Sequence, residues 1–213
     1  WVDGYGETAK NGKAPEMTSL KKNWVPKPQG EVVIKSAREK ADFLKVGSSW
    51  IYGEILEEGI DIMVECLPEH DKGLFIDLGS GRGNVCAYLH VRHGFKSCVG
   101  VELSKTRWNL SNEIKKQASV EHDLSGVSFF NQDLYTYDIS TADVLFANSL
   151  AFDSVATERL QRKIHDEVKS GCVYVTTKRI YSLDDLPRLK KWGETRVKAS
   201  WMDLCPLHIY VAH

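Results

Sequence analysis

The sequence predicts an α/β fold with a doubly wound, mostly parallel β-sheet. Short apolar runs alternate with stretches of helical periodicity from residue 55 onward, and the last two runs follow one another with no helix between them. Strands that alternate with helices run parallel, because only a long crossover returns the chain in the same direction. Two strands joined by a turn form an antiparallel hairpin. We therefore expect a seven-stranded sheet that ends in a C-terminal antiparallel hairpin.

The N-terminal part of the sequence predicts an arm and a short helix. Residues 1–30 are rich in Gly, Lys and Pro and show no hydrophobic periodicity, which is typical of a loop or an extended arm. Apolar residues at helical spacing predict one short helix between Val33 and Val46. With 213 residues, the chain can bury one good core. We therefore divide it into a small helical or extended segment, 1–49, and one main domain, 50–213.

Within the main domain the elements follow one another regularly. A first helix is predicted over Ile55–Leu67, and Pro68 ends it. The predicted strands are Leu74–Leu78, Ser97–Glu102, Val127–Asn131, Val144–Ala147 and Cys172–Thr177. The predicted helices between them are Asn84–His93, Lys105–Ala118 and Val155–Val168. The predicted hairpin strands are Thr195–Trp201 and Leu207–Ala212, joined by a turn that contains Pro206.

Composition excludes several classes of protein. The 28 basic and 29 acidic residues nearly cancel, so overall charge indicates neither a nucleic-acid nor a membrane partner. No stretch approaches the roughly 20 apolar residues that span a bilayer. The five cysteines lie far apart with no CxxC pair, which favours free thiols in a reducing compartment. We expect a soluble, intracellular monomer and, since the sequence starts at Trp1 without Met, a fragment of a longer chain.

Three alternating glycines follow the first predicted strand. Gly79, Gly81 and Gly83 precede a helix, and Asp77 stands just before them. Glycine lets the backbone turn tightly and lets a ligand approach where a Cβ would collide. This GxGxG spacing differs from the GxGxxG that aims a helix N-terminus at a phosphate. A carboxylate can instead face a cationic amino group, such as that of S-adenosylmethionine. We therefore predict a site for this cofactor.

Acidic residues follow the next two strands. Glu102, followed by Leu103, ends the second strand, where a carboxylate can accept both hydroxyls of a ribose. Asp133 follows the third strand, at a position that approaches the adenine edge, with Leu134 against the ring. The alternatives are a surface acid that starts the next helix and a solvated turn residue. Both acids together with the glycines favour the cofactor interpretation.

Four segments carry a family resemblance: Tyr52-Gly53-Glu54, Asp77-Leu78-Gly79-Ser80-Gly81, Val144 to Phe152, and Ser200-Trp201. Together they resemble the disruptor-of-telomeric-silencing histone methyltransferases, over roughly Trp50 to Tyr210. The resemblance implies a Rossmann-like class I methyltransferase, a nuclear chromatin regulator that methylates a lysine in the globular core of nucleosomal histone H3. The short chain is similar to the compact kinetoplastid members more than to the long animal or fungal ones.

The resemblance also implies the site residues, with S-adenosylmethionine as methyl donor, S-adenosylhomocysteine as product and no metal. The implied cofactor residues are Tyr52, Gly53, Glu54, Asp77, Gly79, Gly81, Gly83, Asn84, Glu102, Leu103, Asp133, Leu134 and Asn148. The implied residues of the lysine channel are Asn148, Phe146, Phe152, Trp201 and Tyr210. Asn148 has an alternative as a helix cap, and the three aromatic residues Phe146, Phe152 and Trp201 have one as core.

Three positions depart from the family pattern. Ile55 stands where the family commonly has a hydroxyl residue, and Leu150 replaces an aromatic residue. In the hairpin, the channel tyrosine of the family aligns with His208, Ile209 or Tyr210, and we choose Tyr210. Methyl transfer is an in-line displacement that needs the nucleophile about 3–3.5 Å from the methyl carbon. The acceptor lysine must first lose its proton, which an apolar channel and a nearby sulfonium both favour.

Other polar residues admit two interpretations. His90 and His93 suggest a metal, but an exposed helix face explains them better. DNA phosphates or an acidic histone surface are possible contacts of the basic residues, and ordinary solvated charge is the alternative. These basic residues are the ones in the N-terminal arm, and Lys178, Arg179, Arg188, Lys190, Lys191, Arg196 and Lys198.

Two further functions compete with histone methylation. A lysine methyltransferase that acts on a non-histone protein fits the same residues. A binding module without turnover is the second, against which Asp77, Glu102 and Asn148 count. An adenine- or glutamine-directed enzyme is disfavoured, because Asn148-Ser149-Leu150-Ala151 lacks the two prolines of the Asn-Pro-Pro-aromatic motif.

Overall fold

A computed structural model describes residues 33–213 of the chain. The predicted arm over 1–30 lies outside these residues. Helix α1 runs over Ala37–Lys45, where Ser36 caps its N-terminus by accepting a hydrogen bond from the Glu39 amide. Helix α2 runs over Glu57–Glu65. Within 33–213, no helix is long and apolar enough to cross a membrane.

The core of the molecule is one seven-stranded sheet. Its strands are β1 (Leu74–Leu78), β2 (Ser97–Glu102), β3 (Val127–Asn131), β4 (Val144–Ala147), β5 (Val173–Thr176), β6 (Leu189–Ala199) and β7 (Met202–Ala212). They lie in the order β3-β2-β1-β4-β5-β7-β6. The first five run parallel, and β7 is antiparallel to both of its neighbours. The predicted α/β architecture is therefore confirmed.

Helices cover both faces of this sheet. They are α3 (Asn84–Tyr88), which continues as a π-helical turn over Leu89–His93, α4 (Lys105–Ala118) and α5 (Ser154–Glu167). One buried cluster joins α2 and α3 to one face of the strands, through residues such as Met63 and Phe75. The other joins α5 to the opposite face, through residues such as Leu160 and Leu145. Strand order reverses between β1 and β4, and ligands of such sheets bind beyond the carboxyl ends of the strands at that point.

The hairpin differs from its prediction. The turn lies at Ser200-Trp201, and Pro206 sits inside β7 opposite Arg196 of β6. Proline cannot donate to a sheet ladder and is tolerated where a strand lacks a second neighbour. That condition holds here, because β5 pairs with β7 only from His208 to Val211. The predicted turn at Pro206 was therefore wrong, because proline here lies within a strand.

Candidate active site

A cavity of about 290 Å³ opens at the carboxyl ends of β1 to β4. Its walls come from the loops that follow these strands, from α1, and from a segment before α2 that we call the strap (residues 50–54). Of the residues predicted for the site, the cavity is lined by Tyr52, Gly53, Gly79, Glu102, Leu103, Asp133, Leu134, Asn148, Phe152 and Trp201. The sheet thus gathers residues that are up to about 150 positions apart in the sequence.

The glycine-rich turn follows β1 in left-handed backbone geometry. Gly81 has φ +57° and Gly83 has φ +80°, values that side chains rarely adopt. A Cβ on Gly81 would overlap the Tyr52 ring, and one on Gly83 would overlap the Phe129 ring. The turn therefore needs glycine both for its backbone and for the close approach of two aromatic rings.

Asp77 lies next to the end of β1 and is almost completely buried, at 3% exposure. Burial, with the negative charges of Glu102 and Glu54 nearby, raises the pKa of Asp77 to about 8. The ionised form of this carboxyl is disfavoured in the protein, and a positive charge placed beside it would stabilise that form. The environment of Asp77 therefore suits a cationic ligand group.

Glu102 ends β2 and faces the cavity while its carboxylate is fixed by backbone amides. The Gly81 amide donates to Oε2 at 2.9 Å and the Ser104 amide donates to Oε1 at 2.8 Å. Burial raises the pKa of Glu102, while the Arg107 guanidinium opposes this effect. A carboxylate accepts about four hydrogen bonds, so Glu102 retains acceptor capacity for a pair of hydroxyls.

Asp133 follows β3 and has a local role as well as a place in the cavity wall. Its Oδ1 accepts a hydrogen bond from the Tyr135 amide at 2.9 Å, which forms an Asx-turn. Leu103 and Leu134 line the cavity beside it. An apolar wall edged by a carboxylate suits a flat heteroaromatic group.

The strap is hydrogen-bonded to the end of β6. The Ser200 amide donates to the Glu54 carbonyl at 2.8 Å, and the Glu54 amide donates to the Ser200 hydroxyl oxygen at 3.0 Å. The Trp201 ring lies so close to Gly53 that a Cβ on Gly53 would overlap it. Glycine at residue 53 is therefore required by the packing of Trp201 over the strap.

The side chain of Glu54 points to the glycine-rich turn. Its carboxylate pairs with Arg82 at 2.5 Å and accepts a hydrogen bond from the Asn84 amide nitrogen at 2.8 Å. The Tyr52 hydroxyl also donates to it. Glu54 and Asn84 are thus brought together as predicted members of one site, with their polar groups bonded to one another.

Asn148 follows β4 and is held by two polar contacts. Its amide nitrogen donates to the Gly53 carbonyl at 3.4 Å, and its carbonyl oxygen accepts from the Thr177 hydroxyl at 3.1 Å. The helix-cap alternative is not what the structure shows, because Asp153 caps α5. Asn148 therefore stands between the strap and the end of β5.

A second, larger cavity of about 680 Å³ adjoins the first. Leu150 lines both cavities, and Thr177 of the second is hydrogen-bonded to Asn148 of the first. Of the three hairpin residues considered for the channel, His208 lines this second cavity. Burial lowers the pKa of His208 and disfavours its charged form, while the nearby Glu194 carboxylate opposes this effect.

Two predicted channel residues lie elsewhere. Tyr210 is fully buried on the face of the sheet that α5 covers. There it stacks with Tyr174, and its hydroxyl accepts a hydrogen bond from the Ile180 amide at 2.8 Å. Phe146 is 2% exposed and belongs to the cluster on the opposite face, which joins α2 and α3 to the sheet. Both side chains are packed into the core from mid-strand positions. The prediction that they line a channel is therefore corrected.

The sequence did not indicate a role in the site for three residues. Arg82 is the variable residue between two glycines of the turn, and Thr177 follows β5. Arg107 lies on α4, lines the cavity and is 4% exposed. Its Nη2 donates to the Trp50 carbonyl, and within residues 33–213 its buried Nε has no hydrogen-bond partner. A single arginine on a polar helix gives no sequence signal for such a position.

The histidines and basic residues have local partners. His90 bonds to the Phe95 carbonyl and His93 to Asp61, and in the described part of the chain no group of His, Cys, Asp or Glu could hold a metal ion. Arg188 caps the end of α5 by donating to the His165 and Val168 carbonyls. Lys191 pairs with Glu194. Lys178 bonds to Phe152 O and Thr157. All five cysteines are free, as predicted.

Comparison with known proteins finds one family. Residues 31–188 match the family described as histone methylation protein DOT1. A curated relative from Gibberella zeae, described as histone-lysine N-methyltransferase, H3 lysine-79 specific, is 32% identical over 143 residues, 62% of this chain and 29% of its own length. A protein of the same description from Caenorhabditis elegans is 24% identical over 193 residues, 84% of this chain and 20% of its own. This chain thus spans less than a third of either relative.

A solved structure supports the fold. An RNA methyltransferase from Salinibacter ruber, in complex with S-adenosylhomocysteine, matches with a TM-score of 0.53 at 21% identity. The match covers 72% of this chain and 89% of that one. The predicted Rossmann-like methyltransferase fold is therefore confirmed.

Proposed function

Since this chain belongs to the family of the histone methylation protein DOT1, we propose that it is a protein-lysine N-methyltransferase that uses S-adenosylmethionine and acts on a lysine in the globular core of nucleosomal histone H3. The observation that carries this proposal is the position of two buried acids, Asp77 and Glu102, at the ends of β1 and β2 beside the glycine-rich turn. The first would face the amino group of the cofactor and the second its ribose hydroxyls.

The residues of the first cavity, together with the buried Asp77 at the end of β1, fit this cofactor. S-adenosylmethionine supplies an electrophilic methyl group when it is bound. Asp77 offers negative charge to an ammonium group, and Glu102 offers free lone pairs to hydroxyls. Leu103 and Leu134 give apolar walls for adenine, with Asp133 at the edge. Tyr52 and Gly53 of the strap cover the site.

Asn148 and the second cavity support an amine as the acceptor. The Asn148 carbonyl oxygen can orient an amine without adding charge, and Thr177 fixes this amide. Apolar side chains around it, Leu150, Phe152 and Trp201, disfavour an ammonium and so favour the neutral nucleophile. The amine would approach past Leu150, which lines both cavities.

The partners proposed for the whole protein extend this view. The relatives' description as histone H3 methyltransferases supports a chromatin-associated, nuclear protein that binds nucleosomes. Arg179 and Lys190 are exposed and remain suitable for contacts with DNA phosphates or an acidic histone surface, whereas Arg188 is engaged in capping α5. We keep a monomer and the boundary between 49 and 50 as predictions. Phe43 of α1 and Val46, which follows this helix, line the cavity, which supports a contribution of the segment before residue 50 to the site.

The proposal is tested by offering tritiated S-adenosylmethionine with recombinant nucleosomes, free histone H3 and bulk cytosolic protein in parallel. Labelling of nucleosomal H3, with mass spectrometry placing the methyl on a core lysine, is the expected result. Label in a cytosolic protein alone would identify the non-histone lysine methyltransferase instead. Cofactor binding without label on any substrate would favour a binding module.

A further inference from the structure

Arg82 occupies an unusual place for a charged residue. It lies between Gly81 and Gly83 inside the tight turn, and it is only 7% exposed. A guanidinium is rarely buried without a partner, because removal from water is costly. Its partners therefore indicate what the residue does in this turn.

The Arg82 side chain bonds to two residues of the strap, Tyr52 and Glu54. The Arg82 Nη2 lies 2.5 Å from Oε2 of Glu54 and its Nε lies 3.0 Å from Oε1, which makes a two-point ion pair. The same Nε lies 3.3 Å from the Tyr52 hydroxyl, and the guanidinium carbon lies 5.5 Å from the centre of the Tyr52 ring. One side chain of the glycine turn thus holds both polar residues of the strap.

The opposite edge of the strap is held independently. Backbone bonds join Glu54 to Ser200, and Leu56 donates to the Lys198 carbonyl at 3.0 Å. A second guanidinium, that of Arg107, lies 4.9 Å from the centre of the Tyr52 ring. The strap is therefore fixed to β6 on one side, and Arg82 fixes it to the glycine turn on the other.

This arrangement changes the part played by Glu54. Its two oxygens already bond to Arg82, Asn84 and Tyr52, and its charge is balanced by the guanidinium. Asp77 instead lies near two negative charges, the carboxylates of Glu102 and Glu54. The positive charge of a ligand is thus better matched by Asp77, while Glu54 serves to hold the strap.

From these contacts, and resting on the proposed function, we propose that Arg82 is a positioning residue for the cofactor. It fastens Tyr52 and Glu54 to the glycine turn, and so closes the strap over the cofactor cavity. A guanidinium suits this task because its planar fork meets a carboxylate at two points, whereas an ammonium makes a single-point contact.

The experiment measures the dissociation constant of S-adenosylhomocysteine by titration calorimetry. The variants are Arg82→Gln, Arg82→Lys, Glu54→Gln and the double variant Arg82→Gln/Glu54→Gln, with Arg196→Gln as the control at an exposed position of β6. Arg82→Gln is expected to weaken binding by roughly tenfold or more, and Arg82→Lys by less. The double variant is expected to lose no more than the worse single variant, because the two residues act as one unit.

The outcomes separate this inference from the function on which it rests. If the unaltered protein fails to bind S-adenosylhomocysteine, the proposed function is wrong. If it binds and Arg82→Gln binds within about twofold of it, Arg82 has no positioning role. Tighter binding by Arg82→Gln would overturn the inference too, since it would mean that the released Glu54 carboxylate holds the ligand itself. Should Arg82→Gln not fold, Glu54→Gln decides: unchanged affinity counts against the proposal.

Discussion

The hydroxyl of Thr177 donates a hydrogen bond to the amide oxygen of Asn148, with 3.1 Å between Oγ1 and Oδ1. The same Oγ1 accepts a hydrogen bond from the Ser149 backbone amide at 3.0 Å. The Gly53 carbonyl can only accept, so the amide nitrogen of Asn148 faces it and the amide oxygen faces the Thr177 hydroxyl. The orientation of Asn148 thus depends on a residue 29 positions away, at the end of β5.

Thr177→Val is expected to lower kcat for methyl transfer by roughly tenfold, because small errors in the placement of a nucleophile are costly. Affinity for S-adenosylhomocysteine is expected to stay within about twofold, since Thr177 lines the second cavity. Single-turnover kinetics and calorimetry give the two quantities. Thr177→Ser keeps the hydroxyl and serves as control. A loss of the same size in Thr177→Ser would contradict the role of this hydrogen bond.

Asp77 predicts a pH dependence of ligand binding. Its pKa is raised to about 8, and the ionised form attracts the ammonium of S-adenosylhomocysteine. Affinity should therefore rise between about pH 6 and pH 8. Calorimetry in buffers of different ionisation enthalpy should detect proton release below about pH 8. Binding by Asp77→Asn should be weaker and nearly independent of pH over this range, and a wild-type profile without slope would refute the assignment.

In the ligand-free protein, ionisation of Asp77 should lower the folding stability as pH rises, whereas it raises the affinity for the ligand. The pKa of this carboxyl is higher in the folded protein than its ordinary value of 3.8, so its ionisation lowers stability as pH rises from about 4 towards 8. Asp77→Asn removes this cost. Thermal unfolding of the ligand-free variant at about pH 8 is therefore expected at a higher Tm than that of the unaltered protein, and a lower Tm would count against a buried, raised pKa.

Gly83 predicts a stability loss with a matched control. Its φ of +80° and the Phe129 ring both oppose a Cβ, whereas Gly171 has φ +83° with open space around it. Gly171→Ala should cost about 1–2 kcal/mol, the penalty of a left-handed residue. Gly83→Ala adds overlap with a ring and should cost about 1–3 kcal/mol more. Denaturant unfolding measures both values, and equal losses would show that Phe129 moves aside freely.

In the parallel part of the sheet, β3 lies at the edge and is partly exposed, whereas β1, β2, β4 and β5 were predictable because they are buried at almost every position. Such strands appear as continuous apolar runs, and the predicted bounds of β1, β2, β3 and β4 match the structure. Strand β6 is different, since it lies at the edge of the sheet and begins at Leu189 with exposed charged residues. Its first half therefore carries no apolar pattern from which a strand could be predicted.

The sequence predicts candidate site residues where they stand at the end of a strand. Asp77, Glu102 and Asn148 are recognised by their position at strand ends, and sheet topology alone brings them together. Arg82 and Glu54 are 28 residues apart and belong to loops, so no periodicity links them. Tyr210 failed for another reason: the sequence shows an aromatic residue in the last strand, but not which face of that strand it occupies.

The close packing of Trp201 on Gly53 allows a test of the strap by a double-variant cycle. A Cβ on Gly53 would overlap the Trp201 ring, and overpacking of this kind costs about 1–3 kcal/mol. Because Trp201 is 37% exposed, the ring can swing outward and leave the fold intact. Both residues line the cofactor cavity, so the displaced ring should appear as weaker binding of S-adenosylhomocysteine. Gly53→Ala should therefore lower affinity in the unaltered protein and have little effect in the Trp201→Ala background, where the overlap is gone. Equal effects in both backgrounds would mean that Gly53 is needed for its backbone and not for its contact with Trp201.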